Sequence, residues 1–146
     1  MRVLLDTNIV LDVLQNRAPW NVSGQQIFRA AANRMITGCI TAKEATDIHY
    51  FSRRLYRGQE HVDAKARAVI SKLCSLFELL DTLAIDCKEA LAAENGDYED
   101  AVMIRTAVRS DCDCIVTRNP DDFRSSPIPV YAPDAFIKLL TEEKTE

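Results

Sequence analysis

Short apolar runs alternate along the chain with longer segments in which apolar residues recur every three or four positions. The runs have the length of buried strands, and the longer segments have the periodicity of helices. Strands are predicted at residues 3–5 and in four further stretches, MITGCIT, FELL, CIVT and IPVY. Because strands that alternate with helices usually form a parallel sheet covered on both faces, the pattern predicts an α/β fold with a mainly parallel central sheet.

Helices are predicted between these strands. Asp6 or Thr7 can cap the first helix, and Pro133 stands near the start of the last helix, PDAFIKLLTEE. The segment RNPDDF is predicted to be a turn. The first helix is predicted to end near residue 14. The remaining helices are predicted to span residues 23–34, 41–56, 62–76, 86–95 and 98–109.

The composition is that of an ordinary globular protein, with 146 residues, 47% of them hydrophobic and 27% charged. This length predicts one domain over residues 1–146, large enough to need no disulfide or structural metal for stability. The sequence contains no apolar stretch of 18 residues and no basic, apolar and small-residue succession at its start. We therefore expect a cytoplasmic protein.

The five cysteines are odd in number and stand mostly among apolar residues, which predicts reduced thiols. The close pair in DCDC lacks a second pair or nearby histidines, so buried thiols beside a strand are favoured over a zinc site. The net charge of −4 argues against a protein that simply coats nucleic acid. Basic residues concentrate between Arg53 and Lys72. They could form a substrate-binding face or simply lie on solvated helix faces.

Acidic residues follow two of the predicted strands. Asp6 comes directly after the first strand, at the edge of a parallel sheet where ligands bind. After CIVT, the chain continues with Asn119, Asp121 and Asp122. Turn formation accounts for Asn119 and Asp121 but less well for Asp122.

Glu44 is a third candidate, near the start of the helix at residues 41–56. It lies at helical spacing with three apolar residues that are predicted to face the core, Ile48, Phe51 and Leu55. This spacing predicts that Glu44 projects from the buried stripe. Glu44 could equally form a capping box with Thr41, and both interpretations stay open.

The helix at residues 98–109 carries acids on two sides. Helical geometry places Asp97 and Asp100 with the apolar residues at the helix start, although N-capping is an alternative role for Asp97. The opposite, polar face is predicted to consist of Glu99, Arg105, Thr106 and Arg109.

Four segments thus direct carboxylates toward one edge of the predicted sheet. At an effective dielectric constant near 20, two unit charges about 4 Å apart repel by roughly 4 kcal/mol, so such a cluster is hard to keep ionised without a cation. The donors are oxygen atoms, without a histidine or cysteine placed to join them, which favours Mg²⁺ or Mn²⁺ over Zn²⁺. We therefore expect a divalent metal site with Asp6 among its ligands.

The order and spacing of four motifs closely resemble those of the PIN domain, a ribonuclease fold found in bacterial VapC-type toxins and other RNA-processing enzymes. The motifs are LLDTNIVLD, ITAKEATDI, DYEDAVMIRTA and IVTRNPDDF. The resemblance extends from Arg2 to the terminal helix. It implies a mainly parallel sheet with helices on both sides and an acidic pocket that binds Mg²⁺ or Mn²⁺.

By position, Asp6, Glu44 and Asp100 match the three principal acidic residues of the family, which implies that they are catalytic metal ligands. The family's fourth acid commonly lies where this chain has Asn119. Asp122 is then the remaining carboxylate nearby, and it is the expected further ligand.

Other residues have supporting roles by the same resemblance. Thr7 and Thr117 match polar positions that support the ligands, and Asn119 is a further supporting candidate. Apart from the resemblance, Asp97 lies one helical turn before Asp100 and could contribute to metal binding through a bound water. The implied reaction is metal-assisted hydrolysis of the phosphodiester bonds of single-stranded RNA. The candidate residues for holding the RNA backbone are Arg53, Arg54 and Arg57.

Among toxins of this family, the resemblance further implies a homodimer and a cognate antitoxin. Two other classes of protein share part of this pattern. Phosphoaspartate proteins also carry an aspartate after the first strand, but here Thr7 and Asn8 follow Asp6 where those classes require acids. A PIN-like module that binds RNA or protein without hydrolysis is the more serious alternative, because of Asn119.

Overall fold

A computed structural model describes residues 1–94 and 96–142. Its five strands form one sheet in the order β3-β2-β1-β4-β5, and every neighbouring pair is parallel. The strands are β1 (Arg2–Leu5), β2 (Thr37–Thr41), β3 (Glu78–Leu80), β4 (Cys114–Val116) and β5 (Val130–Tyr131). The predicted parallel α/β architecture is confirmed.

Seven α-helices connect and cover the strands in the described part of the chain, and a short 3₁₀ helix, Pro120–Phe123, occupies the predicted turn. The α-helices are α1 (Thr7–Leu14), α2 (Trp20–Ala32), α3 (Ala42–Leu55), α4 (Val62–Leu76), α5 (Ala84–Ala90), α6 (Tyr98–Arg109) and α7 (Pro133–Glu142). None of them combines the length and the hydrophobicity that a membrane crossing requires.

The central strand β1 contributes to a core on each face of the sheet, because successive side chains of a strand point to opposite sides. Val3 and Leu5 pack in a cluster with residues of α1, α2, α3, α4 and α7. Leu4 lies in a second cluster with Met103, Ile104 and Ala107 of α6. Helices therefore cover both faces, as expected for a buried parallel sheet.

Two helix starts differ from the predicted ones. Helix α2 begins at Trp20, three residues before the predicted start at Ser23. Helix α5 begins at Ala84, two residues before the predicted start at Asp86. Asp86 is the third residue of the helix, and its carboxylate accepts a hydrogen bond from the Leu83 backbone N–H at 2.8 Å. The prediction that α5 extends to residue 95 was wrong, because the helix ends at Ala90 and residues 91–94 are not helical. Residue 95 itself and the last residue of PDAFIKLLTEE lie outside the described residues.

Two predicted helix faces were wrong in part. On α3 the buried residues are Glu44, Ile48 and Ser52, four residues apart, whereas Leu55 is 47% exposed at the helix end. On α6, Thr106 is fully buried rather than on the polar face. Its hydroxyl donates a hydrogen bond to Asp86 of the neighbouring α5, a partner that helical periodicity does not reveal.

Candidate active site

Asp6 lies where the order of strands reverses, since β1 leads to β2 and β3 on one side while β4 and β5 lie on the other. Such a reversal leaves a crevice at the carboxyl ends of the strands. The Asp6 backbone N–H donates to the Val116 carbonyl at 2.9 Å, and its Oδ2 accepts a hydrogen bond from the Thr117 hydroxyl at 2.7 Å. Asp6 occupies the N-cap position of α1, but its side chain does not cap the helix.

Burial raises the pKa of Asp6, and the negative charge of Asp122 adds to that rise. The hydrogen bond from Thr117 and the positive charge of Arg118 act in the opposite direction. The side chain is only 9% exposed. Asp6 is thus a nearly buried carboxylate with one hydroxyl partner and a second acid close enough to influence its charge.

Glu44 is fully buried at the start of α3. The capping box with Thr41 is present: the Thr41 backbone N–H donates to Glu44 Oε2 at 2.7 Å, and the Glu44 backbone N–H donates to Thr41 Oγ1 at 3.1 Å. Glu44 Oε1 accepts a hydrogen bond from the Thr7 hydroxyl at 3.2 Å. Both interpretations of Glu44 therefore apply, because the capping carboxylate is also turned into the buried interior.

The pKa of Glu44 is raised to about 8, first by burial and then by the charge of Asp6. A carboxylic acid with this pKa is largely protonated at neutral pH without a compensating cation. A positive charge nearby, such as that of a bound metal ion, would lower the pKa of Glu44 and keep its carboxylate ionised at neutral pH.

Asp100 lies in the first turn of α6 and is partly exposed. Its pKa is raised to about 6 by burial, then by the charges of Asp6, Asp97, Asp122 and Glu99. Asp97 is exposed and is the N-cap of α6, its side chain accepting a hydrogen bond from the Glu99 backbone N–H at 3.1 Å. The capping alternative for Asp97 is confirmed, and any metal contact of Asp97 stays a prediction.

A glycine brings the start of α6 close to the 3₁₀ helix. Gly96 has φ +91°, and a Cβ atom at this position would lie only 2.9 Å from the Asp122 carbonyl oxygen. No side chain fits at that distance, so only glycine allows the two segments to approach so closely. This contact was not predicted from the sequence.

Asn119 and Asp122 are exposed on the segment that follows β4. The Asn119 backbone N–H donates to Thr117 Oγ1 at 3.1 Å, so the Thr117 hydroxyl joins this segment to Asp6. Asp122 acts on the pKa of both Asp6 and Asp100. Asp121 instead forms an exposed ion pair with Arg124 at 2.9 Å.

The donors suit a hard divalent cation, since they are carboxylate oxygens whose pKa values rise through burial and mutual repulsion. Within residues 1–94 and 96–142, however, no three histidine, cysteine, aspartate or glutamate side chains converge closely enough to hold a metal ion. The acids are electrostatic neighbours, and sharing one ion would require their side chains to draw closer. In that part of the chain the DCDC cysteines do not belong to such a group either.

The three candidate RNA-binding arginines lie away from the acids. The last turn of α3 carries Arg53 and Arg54, and Arg57 follows the end of the helix. All three side chains are exposed, and together with Tyr50 they line a shallow cavity of about 410 Å³. Glu44 lies at the other end of the same helix. Nine residues separate Glu44 from Arg53, which is roughly 14 Å along a helix axis at 1.5 Å per residue.

A charged cluster beside Asp6 was missed by sequence reasoning. Asp12 of α1 is 1% exposed, and its Oδ2 lies 2.9 Å from Arg118 Nε. The Arg118 guanidinium carbon lies 4.2 Å from the centre of the Trp20 ring. A signal was present in the sequence, because Asp12 interrupts the apolar helix residues of IVLDVL.

Solved structures with this fold include VapBC from Salmonella typhimurium bound to DNA, which is 20% identical with a TM-score of 0.65 over 91% of this chain and 98% of that chain. FitAcB from Neisseria gonorrhoeae is 17% identical with a TM-score of 0.66, covering 90% and 97%. VapBC2 from Rickettsia felis bound to a promoter DNA fragment is 17% identical with a TM-score of 0.61, covering 90% and 98%. At these identities the similarity establishes the fold.

No curated protein matches the chain. A family model described as the PIN domain matches residues 2–121, which include Asp6, Glu44, Asp97 and Asp100 but end one residue before Asp122. The match extends over most of the chain. The chain therefore belongs to the PIN domain family.

Proposed function

We propose that this protein is an endoribonuclease that hydrolyses phosphodiester bonds of single-stranded RNA with Mg²⁺ or Mn²⁺. The observation that carries the proposal is the mutual influence of Asp6, Glu44, Asp100 and Asp122. They come from four separate segments, yet the charge of Asp6 raises the pKa of Glu44 and of Asp100, and Asp122 acts on Asp6 and Asp100. Purely structural acids gain nothing from being placed this way.

Asp6, Glu44 and Asp100 would hold the ion, with Asp122 as a further ligand and Asp97 contributing through water. A bound divalent ion supplies activated water and stabilises negative charge on the scissile phosphate. Thr117 and Thr7 orient the carboxylates of Asp6 and Glu44 through their hydroxyl hydrogen bonds.

The RNA backbone would extend from the acids toward Arg53, Arg54 and Arg57. Positive side chains at the far end of α3 suit phosphates that lie several nucleotides from the cleaved bond. These contacts position the strand and carry no base specificity.

We also propose a toxin role, with a homodimer and a cognate antitoxin as partners. The support is that the similar structures are complexes named VapBC and FitAB, some of them bound to DNA. The catalytic proposal does not depend on this assignment and is tested separately.

A module that binds RNA or protein without hydrolysis is the second candidate. Two observations favour it: Asn119 stands where the family commonly has an acid, and no three acids converge on a metal position in the described residues. The two candidates differ in whether divalent metal produces cleavage.

The test is cleavage of a fluorescently labelled single-stranded RNA with Mg²⁺, Mn²⁺ or EDTA. Asp6→Asn and Asp100→Asn should abolish cleavage. Glu99→Gln is the matched control, because Glu99 neighbours Asp100 on α6 but is exposed and pairs with Lys43. Metal-dependent cleavage by wild type and Glu99→Gln alone supports the nuclease. Metal-dependent RNA cleavage that is equal in all four proteins, or absent in all, contradicts it.

A further inference from the structure

We propose that a cavity beside the candidate active site binds a base of the RNA strand, an inference that rests on the proposed nuclease function. The cavity has a volume of about 310 Å³ and lies between the starts of α2 and α7 and the segment after β4. Its lining residues are Pro19, Trp20, Ser23, Arg118, Ala132, Pro133 and Asp134. A base seated there would set which position of the strand reaches the acids.

Trp20 and Arg118 form a stacking platform in this cavity. The Trp20 ring is 47% exposed, and the planar Arg118 guanidinium lies over it at 4.2 Å. Proteins hold unpaired RNA bases on aromatic rings and on guanidinium planes. A base entering the cavity can extend this existing stack, which is already organised before binding.

Arg118 is positioned by an ion pair with the buried Asp12. Its Nε lies 2.9 Å from Asp12 Oδ2, an ion pair by distance although the N–H does not point well enough for a hydrogen bond. Asp12 Oδ1 also lies 3.8 Å from Arg17 Nη1. Because Asp12 is buried at this distance from Arg118, its charge partly offsets the Arg118 charge and restrains the guanidinium electrostatically.

The charge of the cavity suits a base better than a phosphate. Arg118 is already paired with Asp12, and the exposed Asp134 adds a negative charge at the wall. The Asp134 carboxylate accepts a hydrogen bond from the Ser23 hydroxyl and has further lone pairs for N–H donors. Guanine offers two adjacent N–H donors on one edge, so we expect it to bind most tightly.

The cavity adjoins the acids through Arg118 itself. Arg118 follows Thr117, whose hydroxyl donates to Asp6, and it precedes Asn119. A nucleotide whose base stacks in the cavity therefore has its sugar and phosphate beside the segment that carries Asn119 and faces Asp6. The arginines at the end of α3 hold the backbone elsewhere, so the two contacts serve different purposes.

Trp20 is the single tryptophan of the chain, which makes its fluorescence a direct report on the cavity. We would titrate the intact protein in EDTA with guanosine, adenosine, cytidine and uridine 5′-monophosphates, none of which contains a cleavable phosphodiester bond. Saturable quenching, strongest for the guanosine nucleotide, is expected. Absence of saturable quenching overturns the proposal, and equal affinity for all four nucleotides contradicts the role of Asp134.

A second measurement tests the variants that lack Trp20 and therefore lack its fluorescence. Fluorescence anisotropy of a labelled tetranucleotide RNA in EDTA should show about tenfold weaker binding for Trp20→Ala, because a stacked base contributes an effect of this size. Trp20→Phe should restore most of the affinity, since a smaller ring still stacks. Leu79→Ala is the control, because Leu79 is similarly exposed at 45% but lies on the edge strand β3.

The outcomes separate this inference from the nuclease proposal. If the protein cleaves RNA with metal but Trp20→Ala binds as wild type does, the cavity is not a base site and the nuclease survives. If nucleotides quench Trp20 and Trp20→Ala loses binding while no metal produces cleavage, the base site stands and the nuclease fails. Melting temperatures of all variants show whether a loss reflects unfolding.

Discussion

The Thr117 hydroxyl donates a 2.7 Å hydrogen bond to Asp6 Oδ2, joining residues at the ends of two adjacent parallel strands, β1 and β4. Both residues are buried, and 111 positions separate them in the sequence. The same Thr117 oxygen accepts a hydrogen bond from the Asn119 backbone N–H. One hydroxyl therefore links the first acid of the candidate site to the segment that carries Asn119 and Asp122.

Replacing this hydroxyl should destabilise the protein. Thr117→Val keeps the shape of the side chain but leaves the buried Asp6 carboxylate without its hydroxyl donor, which costs about 1–3 kcal/mol of unfolding free energy. Thr117→Ser keeps the donor and should lose less. Urea denaturation at pH 7 without metal measures both variants. Equal stability of Thr117→Val and Thr117→Ser would show that the hydrogen bond contributes nothing.

The stability of the metal-free protein should fall as pH rises. The folded state keeps the Glu44 proton until about pH 8, whereas the unfolded chain releases it near 4.5, so unfolding releases a proton between these values. Asp100, with a pKa of about 6, acts in the same direction over a lower range. The unfolded chain releases the Asp100 proton near 3.8, so stability is highest below about pH 3.8 as far as these two groups determine it.

Thermal unfolding in EDTA from pH 5 to pH 8 measures this effect. The melting temperature should decrease with pH in wild type and decrease less in Glu44→Gln, which has no proton to lose. Mg²⁺ should flatten the wild-type curve, because the ion replaces the proton as the compensating charge. A wild-type protein that becomes more stable toward pH 8 in EDTA would show that Glu44 is ionised in the folded state.

Gly96→Ala should disturb both stability and metal binding. Alanine at φ +91° is strained, and its Cβ would meet the Asp122 carbonyl oxygen at 2.9 Å. Gly58→Ala is the matched control, since Gly58 has φ +83° but no atom within 4 Å of the added Cβ. The control should lose about 1 kcal/mol through backbone strain alone.

Chemical denaturation and metal titration compare the two glycine variants. We expect a larger loss of unfolding free energy in Gly96→Ala than in Gly58→Ala, and weaker metal binding only in Gly96→Ala. Equal losses in both variants would mean that the approach of Gly96 to Asp122 is not required.

Asn119→Asp should tighten binding of a second divalent ion. An amide oxygen ligates a hard cation but brings no charge, so aspartate strengthens this half of the site. Asp122→Asn should reduce RNA cleavage substantially, but less than Asp6→Asn. Calorimetric metal titration, together with the cleavage assay, measures these effects. Unchanged affinity and stoichiometry in Asn119→Asp, with full activity in Asp122→Asn, would leave a site of three acids.

Local patterns in the sequence were sufficient for the architecture. Alternating apolar runs and helical segments predicted the parallel sheet, and Asp6, Glu44 and Asp100 were each identified from their position at a strand end or a helix start. These features depend on residues close together in the chain, where the periods of strands and helices are visible. The capping box at Thr41 was likewise readable as T-x-x-E.

Contacts between distant segments were decided only by the tertiary structure. Helical periodicity placed Thr106 on the solvent side, because the sequence does not show that Asp86 packs against Thr106. Helical periodicity placed Leu55 in the core, because the sequence does not show where the covering helix ends. The approach of Gly96 to Asp122, the ion pair of Asp12 with Arg118 and the stacking of Arg118 on Trp20 each join separate elements. Their energies depend on distances that exist only after the sheet has brought those elements together, which is why the sequence determined the acids of the candidate site and the fold determined their neighbours.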